Sequence, residues 1–338
     1  MIRYLLRRVG QACLVVAGVV ALTFVVVRLL PGDPASAYAG ARATRAELAH
    51  ARQQLGLDQP LPVQLATYVT GLIRGDWGTS LRTRQPVFND LLVAFPASVE
   101  LVFAALTIAV VLGVPAGMLA ARYLGKPLDG GIRITSMFVT SFPVFLLAIV
   151  VQTTFATKLG WFPVAGEYDT VLQTTSPLIH ITNLTVLDAA ITGNGPILLS
   201  AMEHLALPVL VVAAYPLGVV TQMTRAAVSD EASLEHGRLE RALGFTRTAT
   251  LWRFSLRPAL NPMLTVLALV FAYSLVNTFL VESVFNWPGL GRYTADSLRS
   301  LDTAAVAGVT LVVALTYVTA NLLVDVLQTV IDPRVKLQ

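Results

Sequence analysis

Six stretches of this chain, at about residues 9–30, 97–121, 134–157, 205–224, 259–281 and 303–331, are long, apolar and almost free of charge. An α-helix needs about 20 mainly apolar residues to cross the hydrocarbon core of a bilayer. Inside that core every backbone N–H and C=O must find a partner within the protein, so runs of this kind form helices. Charged residues make up only 13% of the 338 residues, where soluble domains carry about 25%. Lipid rather than water must therefore solvate much of the surface. The chain reads as an all-α polytopic membrane protein with six transmembrane helices.

The spans divide the chain into an N-tail with the first helix (1–30), a polar segment (31–96), helices two and three (97–157), a second polar segment (158–204), and helices four to six (205–331) around a charged loop at 225–258, before a short tail (332–338). Met1–Arg8 is basic, and Ala35-Ser36-Ala37 resembles a signal-peptidase site. The apolar run from Val9 to Leu30 is nevertheless about twice the length of a signal-peptide core, so an uncleaved first membrane helix is expected. The N-terminus, 122–133, 225–258 and the tail together hold 14 Lys and Arg against 6 acids, whereas on the other side acids outnumber bases. The positive-inside rule then places both termini in the cytoplasm, with Arg122, Lys126 and Arg133 in the short turn weighing most.

Few polar groups remain within the spans. Arg28, near one end of the first, suits snorkelling to the interface. Asn277 and Asn321 lie deeper, where they either join helices by hydrogen bonds or, with Ser274, face a translocation path. Pro115, Pro143, Pro208 and Pro262 fall in or beside spans and mark places for a kink or a hinge.

Catalytic patterns are missing. No G-x-x-x-x-G-K-[ST] run exists to cradle a nucleotide phosphate, and Gly125-Lys126 is followed by Pro127. H-E-x-x-H and G-x-S-x-G are also absent. His50, His180, His204 and His236 are scattered over both sides of the membrane and build neither a metal site nor a triad. Cys13 is the single cysteine, which excludes a disulfide within the chain.

The loop at 225–258 is too long and too charged to be only a connector, with six arginines and four acids. Ala232, Leu234, Leu239, Ala242 and Leu243 alternate with those charges, and Gly244 supplies a helix stop. A short surface helix ending near Leu243, a turn at Gly244-Phe245 and a second helical piece leading to Pro258 are expected. Such a helix suits docking into a partner's groove, with an amphipathic loop on anionic lipid as the alternative.

Specific motifs go further. Gly237–Pro262 resembles the "EAA" loop of permeases from ATP-binding-cassette (ABC) importers, in particular the dipeptide/oligopeptide/nickel class. Glu235, Arg238, Arg241, Gly244, Arg253, Arg257 and Pro262 stand in that register, while His236 and Glu240 depart from the usual residues. A second stretch, Glu282 with Trp287-Pro288-Gly289-Leu290-Gly291-Arg292, resembles the E-x-x-F-x-W-P-G-L-G signature of the same class. Its proline and glycines impose a bend, and Trp287 suits the membrane interface. Leu29–Pro34, Leu55–Pro60, Arg74–Ser80, Leu159–Pro163 and Asp332–Val335 fit the class as well, although about 166–203 is longer than its usual second outer segment.

The resemblance implies a type I ABC-importer permease fold in a bacterial inner membrane, the chain being the first (B-type) of two paired permeases. It implies a second homologous permease, two ATPase subunits carrying ATP and magnesium, and an extracytoplasmic solute-binding protein, with lipid around the spans and no nucleic acid. This chain would hold no cofactor or metal of its own and catalyse no bond cleavage. By that implication Asp230, Glu235, Arg238, Arg241, Gly244 and Phe245 couple to an ATPase, and Glu282, Trp287, Pro288, Gly289, Gly291 and Arg292 form the class signature. Peptide is the expected cargo. A nickel chelate or another small metabolite is the alternative within the class, and a proton-coupled secondary transporter the alternative outside it.

Overall fold

A computed structural model describes residues 2–29, 35, 43–54 and 56–331. Besides two short turns at Leu172–Thr175 and Arg247–Ala249, the described helices are α1 (Ile2–Leu29), α2 (Arg45–Gln54), α3 (Leu61–Ile73), α4 (Val87–Arg122), α5 (Pro127–Ser141), α6 (Val144–Val151), α7 (Thr185–Ile191), α8 (Gly195–Ser233), α9 (Glu235–Ala242), α10 (Leu256–Phe285), α11 (Leu290–Arg299) and α12 (Thr303–Ile331). π-helical turns continue α6 through Gln152–Lys158 and precede α10 at Thr250–Ser255. Among the described residues no strand forms, apart from one isolated bridge between Thr79 and Pro86. The motif residues Leu30–Pro34, Leu55 and Asp332–Val335 lie outside the described residues.

Among the described residues, five helices are long and apolar enough to cross a membrane, namely α1, α4, α8, α10 and α12. The third apolar stretch, over 134–157, takes the break that Pro143 offers. It is the pair α5 and α6, bent by 95° at Phe142-Pro143. The cause is local: Pro143 brings no N–H to the helix and forces the preceding residue out of the helical region. Phe142 accordingly sits at φ −75°, ψ 130°. Pro96, Pro115, Pro208, Pro216 and Pro262 lie inside helices that continue past them.

α4 and α8 outrun the bilayer. At 36 and 39 residues, a 1.5 Å rise makes them about 54 and 58 Å long, against a core of about 30 Å. Val87, Leu91 and Ala94 repeat at helical spacing beyond the apolar run and pack on Leu290, Tyr293, Ala305 and Val309. The last part of the polar segment, 87–96, is thus helical and continuous with α4. Likewise, 225–233 completes α8, and a helical path from Arg247 to Phe285 replaces the separate piece expected to end at Pro258.

A core of Leu101, Ala105, Ala148, Val211, Val281 and Phe285 joins α4, α6, α8 and α10. α4 and α8 approach closely where a Cβ on Gly117 would stand 2.6 Å from the Thr221 carbonyl oxygen. α1 packs mainly along α12, at the edge of the bundle. At the end where α4 begins, Asp302 accepts from the Ser80 hydroxyl at 2.6 Å and the Leu81 N–H at 2.7 Å. There Glu100 also accepts from the Thr185 and Val186 N–H groups at 3.1 and 2.8 Å, so the segment 159–194 is tied down on α4.

Candidate functional site

Three arrangements stand out, the first at the end of the bundle where α4 finishes. α8 runs unbroken to Ser233, Leu234 turns extended, and the eight-residue α9 follows. The Leu243 and Phe245 N–H groups donate back to the carbonyls of Leu239 and Glu240 at 2.9 and 3.1 Å. That reversal needs a left-handed residue, and Gly244 has φ +89°. The Thr246 hydroxyl then caps the next turn by accepting from the Ala249 N–H at 3.2 Å. Leu239 on α9 and Leu243 just after it are 60% and 69% exposed, with Phe245 and Trp252 also open. Glu235 is exposed on α9, whereas Asp230 stands on the last turns of α8 and not on the projecting helix. Arg238 and Arg241 are α9 residues whose side chains lie outside the described part of the structure.

Beneath α9, Met118, Ala121, Val228, Leu251, Ala259 and Met263 form a small core. Arg247 donates to the Ala121 carbonyl at 3.2 Å, closing the reversal onto α4. Close by, Arg225 of α8 makes a two-point ion pair with Asp129 in the first turn of α5. One contact joins Nε to Oδ1, and the other joins Nη2 to Oδ2 at 2.8 Å. Asp129 Oδ2 also accepts from the Gly125 N–H at 2.9 Å, and Asp129 is 3% exposed. Sequence reasoning missed this pair. The one available signal was a single acid inside the basic turn, and its partner is 96 residues away.

The second arrangement is a cavity of about 240 Å³ at the α5–α6 bend. Thr140, Phe142 and Pro143 line it from the bend, Tyr215 from α8, and Tyr273, Ser274, Asn277 and Thr278 from α10. The Tyr215 and Tyr273 rings are 4.8 Å apart. Asn277 donates to the Tyr273 carbonyl at 2.9 Å and Thr278 to the Leu275 carbonyl at 2.9 Å. Ser274 and Asn277 are thus brought together. Asn321 is elsewhere on α12, donating to the Tyr317 carbonyl at 2.9 Å. Tyr317 belongs to a different, apolar cleft of about 720 Å³ between α1, α8, α10 and α12.

The third arrangement is the turn from α10 to α11. Trp287 is fully buried and donates from Nε1 to the Ala97 carbonyl at 2.9 Å, so the expected interfacial tryptophan is instead a core residue. The reason is that it lies in the core shared with Ala97 and Leu101 of α4 and Phe285 of α10. Glu282 is also fully buried. Its Oε1 accepts from the Ser98 hydroxyl at 2.6 Å, and its Oε2 accepts from the N–H groups of Gly291 at 2.6 Å and Arg292 at 3.3 Å. Ser98 Oγ accepts from the Leu290 N–H at 2.7 Å. Two side chains from α10 and α4 thereby satisfy the first N–H groups of α11, in place of a cap from Gly289 itself. Gly289 leaves no room for a side chain beside this carboxylate and Ser98 Oγ, and a Cβ on Gly291 would meet the Phe279 backbone first and Glu282 Oε2 at 2.9 Å. Pro288 is half-buried, and Arg292 donates to the Asn286 carbonyl at 3.3 Å. Ser98, 184 residues from Glu282, is the member of this cluster that sequence reasoning missed.

Residues 113–337 match the family model described as binding-protein-dependent transport system inner membrane component, and residues 1–102 match its N-terminal model. The probable D,D-dipeptide transport system permease protein of Escherichia coli (strain K12) is 41% identical over 97% of this chain and 96% of its own length. The di/tripeptide transport system permease protein of Pseudomonas aeruginosa (strain UCBPP-PA14) is 34% identical over the whole of both chains. The glutathione transport system permease protein of Salmonella choleraesuis (strain SC-B67) is 32% identical over 99% of each. This chain therefore belongs to the family of inner membrane components of binding-protein-dependent transport systems, as an ABC-importer permease and not an enzyme.

Proposed function

We propose that this chain carries short peptides across the inner membrane, driven by ATP that separate subunits hydrolyse. The observation that carries the reading is α9, a short helix held at the tip of a 39-residue membrane helix, with Leu239 on it and Leu243 just after it exposed. A helix displayed in this way suits a groove on an ATPase subunit. Both termini and α9 then lie in the cytoplasm, in keeping with the excess of basic residues in those segments. A second permease of the same fold completes the pore, each permease engages one ATPase, and ATP with magnesium binds there. The solute-binding protein docks on the segments 31–96 and 158–204.

Closure of the ATPases on ATP favours one permease state over the other, and α9 transmits that preference to the spans. Gly244 sets the turn that aims α9, Asp230, Glu235, Arg238 and Arg241 supply charge for docking, and Phe245 packs behind it on Phe254 at 5.2 Å. Ser274 and Asn277, beside Thr140 and Thr278, give the path hydroxyl and amide groups without fixed charge. Such a lining suits peptide backbones of varied sequence. The names of the relatives, which transport D,D-dipeptides, di/tripeptides and glutathione, favour peptide over a nickel chelate.

The test is binding-protein-stimulated ATP hydrolysis and peptide uptake in proteoliposomes carrying the complete importer. An Arg241→Glu, Gly244→Pro variant should insert normally and lose both activities. Uptake without the ATPases, or normal coupling in the variant, would overturn the reading.

A further inference from the structure

We infer that Asp129 and Arg225 are positioning residues for transport: their ion pair makes α5 travel with α8, so that movement of α9 reaches the bend at Phe142-Pro143. The inference rests on the proposed role of α9 and adds to it the route by which its motion arrives at the cavity.

The geometry has four parts. First, α8 is continuous from Arg225 to Ser233 and meets α9 one residue later, about 12 Å along the helix axis. Second, Arg225 lies where α8 approaches α4 closely. A Cβ on Gly117 would lie 2.6 Å from both the Thr221 carbonyl oxygen and Thr224 Cβ, and 3.0 Å from the Arg225 nitrogen. Third, the pair is two-pronged and directional, and Asp129 is further fixed by the Gly125 N–H at 2.9 Å. A planar guanidinium on a carboxylate holds angle as well as distance, unlike a point charge. Fourth, α5 is held on α8 again near its other end. There a Cβ on Gly218 would stand 2.4 Å from Thr140 Cγ2 and 2.8 Å from the Ser136 carbonyl oxygen.

α5 is therefore held against α8 at both ends, over about 17 Å from Asp129 to Thr140. Immediately after the second pin the chain bends by 95° into α6. A segment fixed to one helix and ending in a proline break moves as a lever about that break. The residues at the break, Thr140, Phe142 and Pro143, line one wall of the cavity whose other walls carry Tyr215, Ser274 and Asn277. Rotation of α8 at its α9 end would shift that wall relative to α10. Without the Asp129–Arg225 pin, the far end of α5 is free to lag.

The experiment uses the complete reconstituted importer. Asp129→Asn, Arg225→Gln and the double variant are compared with wild type for peptide transported per ATP hydrolysed. Each single variant should lose at least fivefold in that ratio, with ATP hydrolysis retained, and the double variant should be no worse than either. Arg225→Lys, which keeps charge but not the two-pronged geometry, serves where a variant assembles poorly. Spin labels at Gly131→Cys and Ala226→Cys, in a Cys13→Ala background, report motion between α5 and α8. Their separation should stay constant in wild type when a non-hydrolysable ATP analogue binds, and should change in Asp129→Asn. Wild-type importer that moves no peptide would remove the importer reading and the lever with it. Variants that transport as many peptides per ATP as wild type, or labels that separate equally in both proteins, would overturn the lever alone.

Discussion

Replacing Glu282 by alanine removes the acceptor for three donors at the α10–α11 turn: the Ser98 hydroxyl and the N–H groups of Gly291 and Arg292. Ser98 and Gly291 are buried, and Arg292 is half-buried. A buried donor left without a partner costs about 1–3 kcal/mol, so the two buried groups together cost about 2–6 kcal/mol. Glutamine is a milder change. Its carbonyl oxygen can serve Gly291 and Arg292 while its amide faces Ser98 Oγ, leaving only the hydroxyl proton unaccepted. That substitution should cost about 1–2 kcal/mol, near the value of one ordinary hydrogen bond. The assay is the free energy of unfolding in detergent micelles, taken from linear extrapolation of a denaturant titration. Ser98→Ala and the Ser98→Ala, Glu282→Ala double variant complete a cycle, whose interaction energy should fall within about 0.5–3 kcal/mol for groups in contact. Glu282→Ala within about 0.5 kcal/mol of wild type, the range of neutral surface changes, would refute the view that this carboxylate holds α11 in place.

Gly117→Ala should destabilise the chain by about 1–3 kcal/mol in the same titration, because the new methyl meets backbone and Thr224 Cβ rather than a yielding side chain. Gly244→Ala meets nothing within 4 Å, so its cost of about 1–2 kcal/mol comes from the left-handed backbone alone, and it should lower coupling without reducing insertion. Burial presses the Asp188 carboxyl upward, but donation from the Thr182 hydroxyl and from the N–H groups of Thr182, Ile181 and Asn183 outweighs it and holds the group below its usual range. Its contribution is therefore present above the unfolded value of about 3.9 and is lost as pH falls through the lower folded value; hydrogen exchange at Ile181–Asn183 should accelerate there, and Asp188→Asn should abolish the change. Glu167 has the opposite sign. Burial raises it, against donation from the Thr185 hydroxyl, so its contribution is full below about 4.3 and is lost as pH rises through the folded value. Thermal stability of Glu167→Gln against wild type across that rise should converge at low pH and diverge in favour of the variant at high pH.

The sequence by itself determined that the chain lives in a bilayer, because runs of about 20 uncharged residues admit no other solvent. It determined the short helix after the fourth span and its stop, since Gly244 is the residue that tolerates φ +89° and the flanking charges mark a surface helix. It also carried the family signature at Glu282–Arg292, though not what that stretch does. The tertiary structure decided which proline breaks a span. Pro143 bends its helix by 95° while Pro115, Pro208 and Pro262 are carried through, and a proline reads alike in all four places. It decided that Trp287 is buried, because Ala97 and Leu101 of α4 and Phe285 of α10 gather around it once helices distant in sequence lie together. It decided, finally, the partners of the buried charges. Ser98 reaches Glu282 and Asp129 reaches Arg225 only once helices distant in sequence lie side by side, and a hydrogen-bond partner across such a gap leaves no periodic trace along the chain.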